Sequence, residues 1–269
     1  MSWNHIARCH VAIRMSPRLR RDRWIAVTAL CVAITSAGCA TKHEASFPYS
    51  VEYRCRKATG PVTIDGELDE AAWKQAGVLH FVVPDTLSTP PTRTEARMLY
   101  DEERLYLAFH AFDEDIWFAH TKRDEPIYME DVVEAFFRTD PQAAPYYEFE
   151  FSVNEVIWDG LYHGRRGAGG SVRAKTWNSE GTEVAARVQG TVNDWRDRDT
   201  SWTCEVSIPL DDLTVPVGRR PRTGDRWRFS LARYDYSVYV RGGSVLSSSA
   251  PLRVADFHRL EDYMTLEFE

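Results

Sequence analysis

From residue 53 onward, apolar and polar side chains alternate along many short segments that are separated by turn residues. Alternation with a period of two places one face of a strand on a core, whereas an amphipathic helix repeats every 3.6 residues. Many short segments of this kind are typical of an antiparallel β-sandwich. The pattern therefore predicts an all-β chain, with helix limited to a turn near residues 69–75.

Eight or nine strands are predicted. They lie at residues 97–100, 104–109, 131–138, 146–162, 183–192, 201–209, 226–234 and 263–268. The first two flank a polar stretch and predict a hairpin. The segment 146–162 is long enough to form a strand that bends.

The N-terminal part of the chain reads as an export signal. Basic residues at 18–23 precede an apolar run at 24–35, which is too short to span a bilayer but has the length of a signal-peptide core. Residues 36–39, Ser-Ala-Gly-Cys, resemble the lipobox of bacterial lipoproteins, in which the cysteine is lipidated and becomes the new N-terminus. The alternative is an ordinary cleaved signal in which Cys39 is a chance residue.

These features predict three segments: a signal peptide with lipobox at 1–38, a lipidated N-terminus and tether at 39–50, and one β-sandwich domain at 51–269. By the same resemblance, Ala40 after the cysteine implies sorting to the outer membrane of a Gram-negative bacterium. We therefore expect an exported protein that meets the membrane through its lipid anchor.

The charge of the chain argues against binding to nucleic acid. The net charge is −7, and the basic residues are scattered rather than clustered on one segment. Phosphate binding needs clustered lysine and arginine side chains. We expect a monomer that has no nucleic-acid partner.

Only two cysteines, Cys55 and Cys204, lie in the predicted mature domain. In an oxidising compartment they could form one disulfide that closes a long loop and stabilises the domain by a few kcal/mol. The alternative is two separate buried thiols on β-strands. The sequence leaves both arrangements open.

Several segments occur in an order that resembles a known family. They are residues 63–73 (TIDGELDEAAW), 100–109, 130–137 (EDVVEAFF), 146–151 with Trp158 and Asp159, 202–209 and 224–228. Together they resemble the family 9 carbohydrate-binding modules and their family 9-like subgroup over residues 51–269. The resemblance implies a β-sandwich of the DOMON-like jelly-roll type and a non-catalytic domain that binds a glycan end.

The resemblance also implies the position of a sugar site. In the family, a sugar end lies between two aromatic rings while charged and amide side chains bind its hydroxyls, because pyranose C–H faces stack on rings and buried hydroxyls need strong partners. Aligning residues 128–134 with the first binding loop makes Tyr128 the first ring and Glu134 the acidic hydroxyl acceptor. The alternatives are a loop aromatic that caps the core for Tyr128 and a solvated strand residue for Glu134.

Two parts of the family pattern are missing. The segment 247–258 lacks the tryptophan that supplies the second ring. Phe257 or His258 could replace it, although Phe257 could instead be buried at the start of the last strand. The family's basic sugar ligand has no counterpart at 148–152, and Asn154 could supply an amide. The expected glycan binding therefore depends mainly on the fold.

Acidic residues in the loops after the hairpin raise the question of a metal. Asp113, Asp115 and Asp131 offer the hard oxygen ligands that Ca²⁺ prefers, so a structural Ca²⁺ is one interpretation. Solvated loop charge is the other, since no EF-hand spacing is present. No other cofactor is expected.

The sequence contains no recognisable catalytic arrangement. No pair of carboxylates stands in a glycosidase setting, and no Gly-x-Ser-x-Gly motif is present. We expect a binding protein that supports polysaccharide degradation or uptake. The alternatives are an envelope adaptor or assembly sandwich with an eroded sugar site, or one part of a glycoside-hydrolase system.

Overall fold

The computed structural model describes residues 51–166 and 177–269. Twelve strands form in these ranges: β1 Glu52–Lys57, β2 Leu79–His80, β3 Thr94–Tyr100, β4 Arg104–Phe112, β5 Val132–Arg138, β6 Tyr146–Ser152, β7 Ile157–Tyr162, β8 Glu183–Gln189, β9 Ser201–Pro209, β10 Arg226–Tyr236, β11 Ser244–Ser248 and β12 Met264–Phe268. Helix is restricted to four 3₁₀ turns at Trp73–Gln75, Ile127–Met129, Leu210–Leu213 and Leu260–Asp262. The predicted all-β fold is confirmed.

The strands form two sheets that share β1. One sheet has the order β7-β6-β5-β10-β12-β1, with β11 beside β10, and the other has the order β1-β3-β4-β9-β8, with β2 beside β3. Residues 52–55 of β1 pair with β12 and residues 56–57 pair with β3, both in parallel register. All other strand pairs are antiparallel. The sandwich is therefore nearly closed along the side that contains β1.

The hydrophobic core lies between the two sheets. Both sheets contribute large buried side chains, such as Phe109 and Trp202 from one and Phe149, Phe229 and Leu231 from the other. Burial of this apolar surface, at about 25 cal/mol per Å², is the main favourable contribution to folding. Several strands are buried on both faces, among them β5 and β6.

The structure corrects one of the predicted strands and adds three. The predicted bent strand at 146–162 is a hairpin of β6 and β7, which turns at residues 153–156 with Glu155 at a positive φ of 67°. Strands β1, β2 and β11 were not predicted. The serine-rich β11 forms because its backbone pairs with β10 and, at Ser248, with Val82.

Cys55 and Cys204 are free and buried, so the structure contains the two separate thiols rather than the disulfide. They lie on β1 and β9, and β3 and β4 stand between these strands in the sheet. Neighbouring strands are about 4.8 Å apart, so this order separates the two cysteines beyond the reach of a disulfide within the sheet. Burial raises the pKa of both thiols.

The described residues belong to one compact unit. Within its described part, no helix is long and apolar enough to cross a membrane. The predicted signal peptide, the lipobox with Cys39 and the tether at 39–50 lie outside the described residues.

Candidate functional site

Three glutamates converge on the outer face of the sheet formed by β5, β6 and β10. Glu134 of β5 is directly opposite Glu150 of β6, and Glu148 lies two residues earlier on β6. Residues two apart on a strand share a face, so both β6 side chains point to the same side as Glu134. Like charges directly across a strand pair are destabilising, so this arrangement is unusual in a sheet whose only role is structural.

We call this group the triglutamate cluster. One carboxylate oxygen from each residue lies within 4.8 Å of the other two, and all three residues are buried. In each carboxylate, the Oε2 atom is buried and has no hydrogen-bond partner among the described residues. Buried polar atoms are nearly always paired, so these three oxygens need an external partner.

The cluster is electrostatically strained. Burial, followed by the charges of Glu150 and Glu148, raises the pKa of Glu134 well above its usual value. Burial raises the pKa of Glu148 to about 7, although a hydrogen bond from Tyr162 and the charge of Arg166 oppose it. Burial and the charge of Glu148 raise the pKa of Glu150 well above its usual value. Burial and mutual repulsion therefore disfavour ionisation of all three glutamates.

The cluster forms the floor of a cleft of about 270 Å³, whose walls are partly aromatic. Tyr128 stands on the 3₁₀ turn at Ile127–Met129 and is 40% exposed. Tyr234 of β10 is on the same face as Glu134, because its neighbour two residues away, Ala232, pairs with Glu134. The cleft thus presents the rings of Tyr128 and Tyr234 above a carboxylate floor.

Phe257 and His258 also line the cleft. Phe257 is buried, and its ring meets Tyr234 edge to face at 5.1 Å, so it supports that ring rather than standing free. Phe257 is therefore buried, as the alternative held, but it precedes the last strand, which begins only at Met264. Tyr234, which the sequence did not single out, also lines the cleft.

His258 is held in the neutral form. Arg166 Nη1 lies 3.3 Å from His258 Nε2, and because arginine can only donate, that nitrogen accepts. The other ring nitrogen, Nδ1, is 2.8 Å from the Tyr146 hydroxyl and carries the proton. Burial, followed by the charge of Arg166, lowers the pKa of His258 to about 4. His258 therefore brings no positive charge to the triglutamate cluster.

Asn154 is not among the described residues that line this cleft. It lies in the turn between β6 and β7, where its Nδ2 donates to the His120 carbonyl at 2.9 Å and its Oδ1 accepts from the Ser152 hydroxyl. Both ends of its amide are thus used within the protein. The structure does not bring Asn154 together with Tyr128 and Glu134.

Of the three aspartates considered as calcium ligands, two lie close together and the third lies apart. Asp113 and Asp131 are buried beside Asp235, with one oxygen of each within 4.8 Å of the others. Asp115 lies outside this group, and its Oδ2 accepts the Val238 N–H at 2.8 Å. The solvated loop charge offered as an alternative is wrong for these three aspartates, because Asp113, Asp115 and Asp131 are all buried.

The aspartate group already contains a cation. Arg233 of β10 is fully buried, and its Nη2 lies 2.7 Å from Asp113 Oδ2 and 3.4 Å from Asp235 Oδ2. Burial opposes the charge of Arg233, but Asp235, Asp113 and Asp131 raise its pKa. Because Arg233 and Tyr234 are consecutive on β10, the aspartate group and the triglutamate cluster lie on opposite faces of one sheet.

Sequence reasoning missed Glu148, Glu150 and Tyr234. The signal for the first two was present, since residues 146–151 read Tyr-Tyr-Glu-Phe-Glu-Phe and place two glutamates on one face of a strand. Only the pairing of β6 with β5 shows that this face also carries Glu134.

A nearly closed β-sandwich that carries a small cleft with aromatic walls and a polar floor has the form of a small-ligand binding module. The profile of the carbohydrate family 9 binding domain-like family matches residues 64–258. The chain therefore belongs to the family 9-like carbohydrate-binding domains, as the sequence segments implied. None of the curated proteins matches the chain.

Solved structures with the same fold include a protein from Bacteroides uniformis described as a candidate carbohydrate-binding protein, which is 12% identical, with a TM-score of 0.60 over 81% of this chain and 99% of that one. A family 9 module from Caldicellulosiruptor kristjanssonii in complex with cellotriose is 12% identical, with a TM-score of 0.56 over 81% and 93%. The same type of module in complex with glucose is 13% identical, with a TM-score of 0.54 over 80% and 95%. At these identities the likeness shows the fold.

Proposed function

We propose that this chain is an exported lipoprotein whose domain binds the end of a glycan in the triglutamate cleft and performs no catalysis. One observation carries the proposal: in a carbohydrate-binding fold, one small cleft combines two tyrosine rings with three buried carboxylates, each of which has one oxygen without a partner among the described residues. Tyrosine rings can stack on pyranose faces, and carboxylates can accept hydrogen bonds from hydroxyls. The family 9 modules of the same fold that bind cellotriose and glucose support this role.

The arrangement of the carboxylates supports binding rather than hydrolysis. Glycosidases place an acid and a base or nucleophile about 5 Å or more apart, on two sides of the bond that breaks. The three glutamates lie side by side on one face of the β5–β6 strand pair, with Glu134 directly opposite Glu150, so they do not flank a bond from two sides. Such a floor can hold one sugar end from below, which suits a module that keeps a polysaccharide near enzymes or transporters for degradation or uptake.

The test is a glycan-array screen with the purified protein, followed by titration with cellotriose and with each glycan that scores. We expect binding in the millimolar range or tighter to at least one glycan. Silence across the array and in titration would overturn the proposal.

A second candidate, an envelope adaptor or assembly sandwich, is favoured by an apolar cleft elsewhere on the domain. Trp117, Phe118, Trp195 and Val238 line this cleft of about 590 Å³, and Trp195 is 65% exposed. Exposed apolar surface of this kind often marks a protein interface. Silence on the glycan array together with a partner that crosslinks beside Trp195 would favour the adaptor.

The lipid anchor predicts a second result. Labelled palmitate should be incorporated into the full-length protein, and Cys39→Ser should abolish the label, because only the thiol of the lipobox cysteine accepts the lipid. The precursor should then stall or be released from the membrane fraction. Cys9→Ser is the matched control and should keep the label. Label that persists in Cys39→Ser would remove the lipobox assignment and, with it, the expected sorting to the outer membrane.

A further inference from the structure

We propose that the triglutamate cluster is a site for one divalent cation, of the calcium class, and that this cation offers open coordination positions to the sugar in the cleft. The cation site stands on the geometry of Glu134, Glu148 and Glu150 alone. Its contact with sugar rests on the proposed function.

The first argument is the distance between the oxygens. Calcium binds oxygen ligands at about 2.3 to 2.6 Å, so two oxygens on one ion are at most about 5.2 Å apart. In the triglutamate cluster, one oxygen from each residue lies within 4.8 Å of the other two. A single ion can therefore contact all three carboxylates without a rearrangement of β5 and β6.

The second argument is the lack of partners. The Oε2 atoms of Glu134, Glu148 and Glu150 are buried and unpaired among the described residues, and the three side chains line the cleft. A buried acceptor without a donor costs about 1 to 3 kcal/mol, and more when it is charged. Three such acceptors on one strand pair would be a heavy cost for an empty cleft, and one cation satisfies all of them.

The third argument is charge. Among the described residues that line the cleft, the basic ones are Arg166 and His258, and Arg166 Nη1 lies 3.3 Å from His258 Nε2, which accepts from it. Three ionised glutamates against one arginine leave two unbalanced negative charges, which is the charge that a divalent ion neutralises. In the aspartate group on the other face of the sheet, a cation already contacts the carboxylates directly, because Arg233 Nη2 lies 2.7 Å from Asp113 Oδ2 and 3.4 Å from Asp235 Oδ2.

The fourth argument concerns selectivity and access. Calcium takes six to eight oxygen ligands, whereas three carboxylates supply at most six and fewer when they bind through one oxygen each. Water or vicinal sugar hydroxyls can complete the coordination, because the three glutamates line the same cleft as Tyr128 and Tyr234. Magnesium is less suited, because it retains water and demands a stricter octahedral geometry.

The site is tested without any sugar. The purified chain, stripped with EDTA and dialysed, is titrated with Ca²⁺ by calorimetry and with Tb³⁺ by luminescence, which Tyr128 and Tyr234 can sensitise. We expect one ion per chain and a higher Tm when calcium is added, because an ion that binds only the folded state stabilises it. No saturable binding of either ion would overturn the proposal.

Glu150→Gln locates the ion. Removing one of three charged ligands should weaken calcium binding by at least about tenfold. The variant should fold, because it also removes a like-charge contact with Glu134. Glu183→Gln is the matched control, since that glutamate is exposed on β8, and it should bind calcium as the parent does. Equal calcium affinity in Glu150→Gln and the parent would place the ion elsewhere and overturn the assignment.

Contact between ion and sugar is tested by titrating a glycan that binds into the protein twice, once with calcium present and once with EDTA. We expect affinity to fall at least about tenfold in EDTA, since direct coordination of hydroxyls would be lost. Equal affinity in both conditions would overturn the contact while the glycan proposal stands. Calcium binding without any glycan binding would also overturn the contact, and in that case the proposed function fails while the cation site stands.

Discussion

Replacing Arg233 by methionine should lower the free energy of unfolding by about 3 to 5 kcal/mol, the usual cost of breaking a buried ion pair on one side. Arg233 is fully buried, and its guanidinium contacts Asp113, Asp235, the Phe112 carbonyl at 2.8 Å and the Thr94 hydroxyl at 3.2 Å. Without it, Asp113, Asp131 and Asp235 would share a buried site with no cation. For a domain of this size, we expect Tm to fall by about 6 to 20 °C.

The matched control is Arg226→Met on the same strand. Arg226 is 53% exposed and pairs with Glu52 and Glu267 at the surface. Exposed ion pairs contribute about 0 to 1 kcal/mol, so the control should melt within a few degrees of the parent. Thermal and chemical denaturation of the two variants measure the difference. Similar losses in both would contradict the structural role assigned to the buried Arg233.

Replacing Tyr128 by alanine should weaken glycan binding by about thirtyfold or more. Truncating an aromatic anchor at the centre of a binding site commonly costs 2 kcal/mol or more, which corresponds to that factor. Tyr128 is 40% exposed, so its loss should change the stability of the fold little. Titration of the same glycan into the parent and the variant provides the measurement.

Trp195→Ala is the control for this prediction. Trp195 is the more exposed ring, but it lines the separate apolar cleft rather than the triglutamate cleft. We expect glycan affinity to be unchanged in this variant. If Trp195→Ala lost binding while Tyr128→Ala kept it, the sugar would lie in the apolar cleft and the site assignment would be wrong.

The alternation of apolar residues predicted most of the sandwich because each long strand carries its own signal. Strands β3, β4, β5, β9 and β10 appear close to their predicted bounds. The strands that were missed depend on partners instead. The serine-rich β11 has no apolar pattern of its own, and its pairing with β10 is a long-range property of the fold.

The site was only partly predictable for a related reason. Tyr128 and Glu134 could be found by resemblance, since both belong to one short segment, and both line the cleft. The partners of Glu134 depend on register: Glu150 stands opposite it only because of how β6 pairs with β5. A slip of one residue would turn both β6 glutamates to the other face, and no local pattern fixes that choice.

The burial of charged residues could not be predicted from the sequence either. Asp113, Arg233 and Asp235 lie in or beside strands, where a single sequence gives no sign of whether a charge is solvated or paired inside. Charged residues are rarely buried unless they are paired, so solvation was the reasonable expectation. The structure shows that Arg233 pairs with both aspartates on the core side of the sheet.

The most direct test of glycan binding in the triglutamate cleft is one variant, Glu134→Gln, measured by both calorimetric melting and glycan titration. The substitution keeps the shape of the side chain and removes its charge. Charged hydrogen bonds contribute about 1.5 to 3 kcal/mol, so replacing the carboxylate acceptor by a neutral amide should weaken binding about tenfold or more. Stability should be unchanged or higher, because burial and the charges of Glu150 and Glu148 disfavour an ionised Glu134. A lower Tm with glycan affinity unchanged would contradict the account and make Glu134 a structural residue.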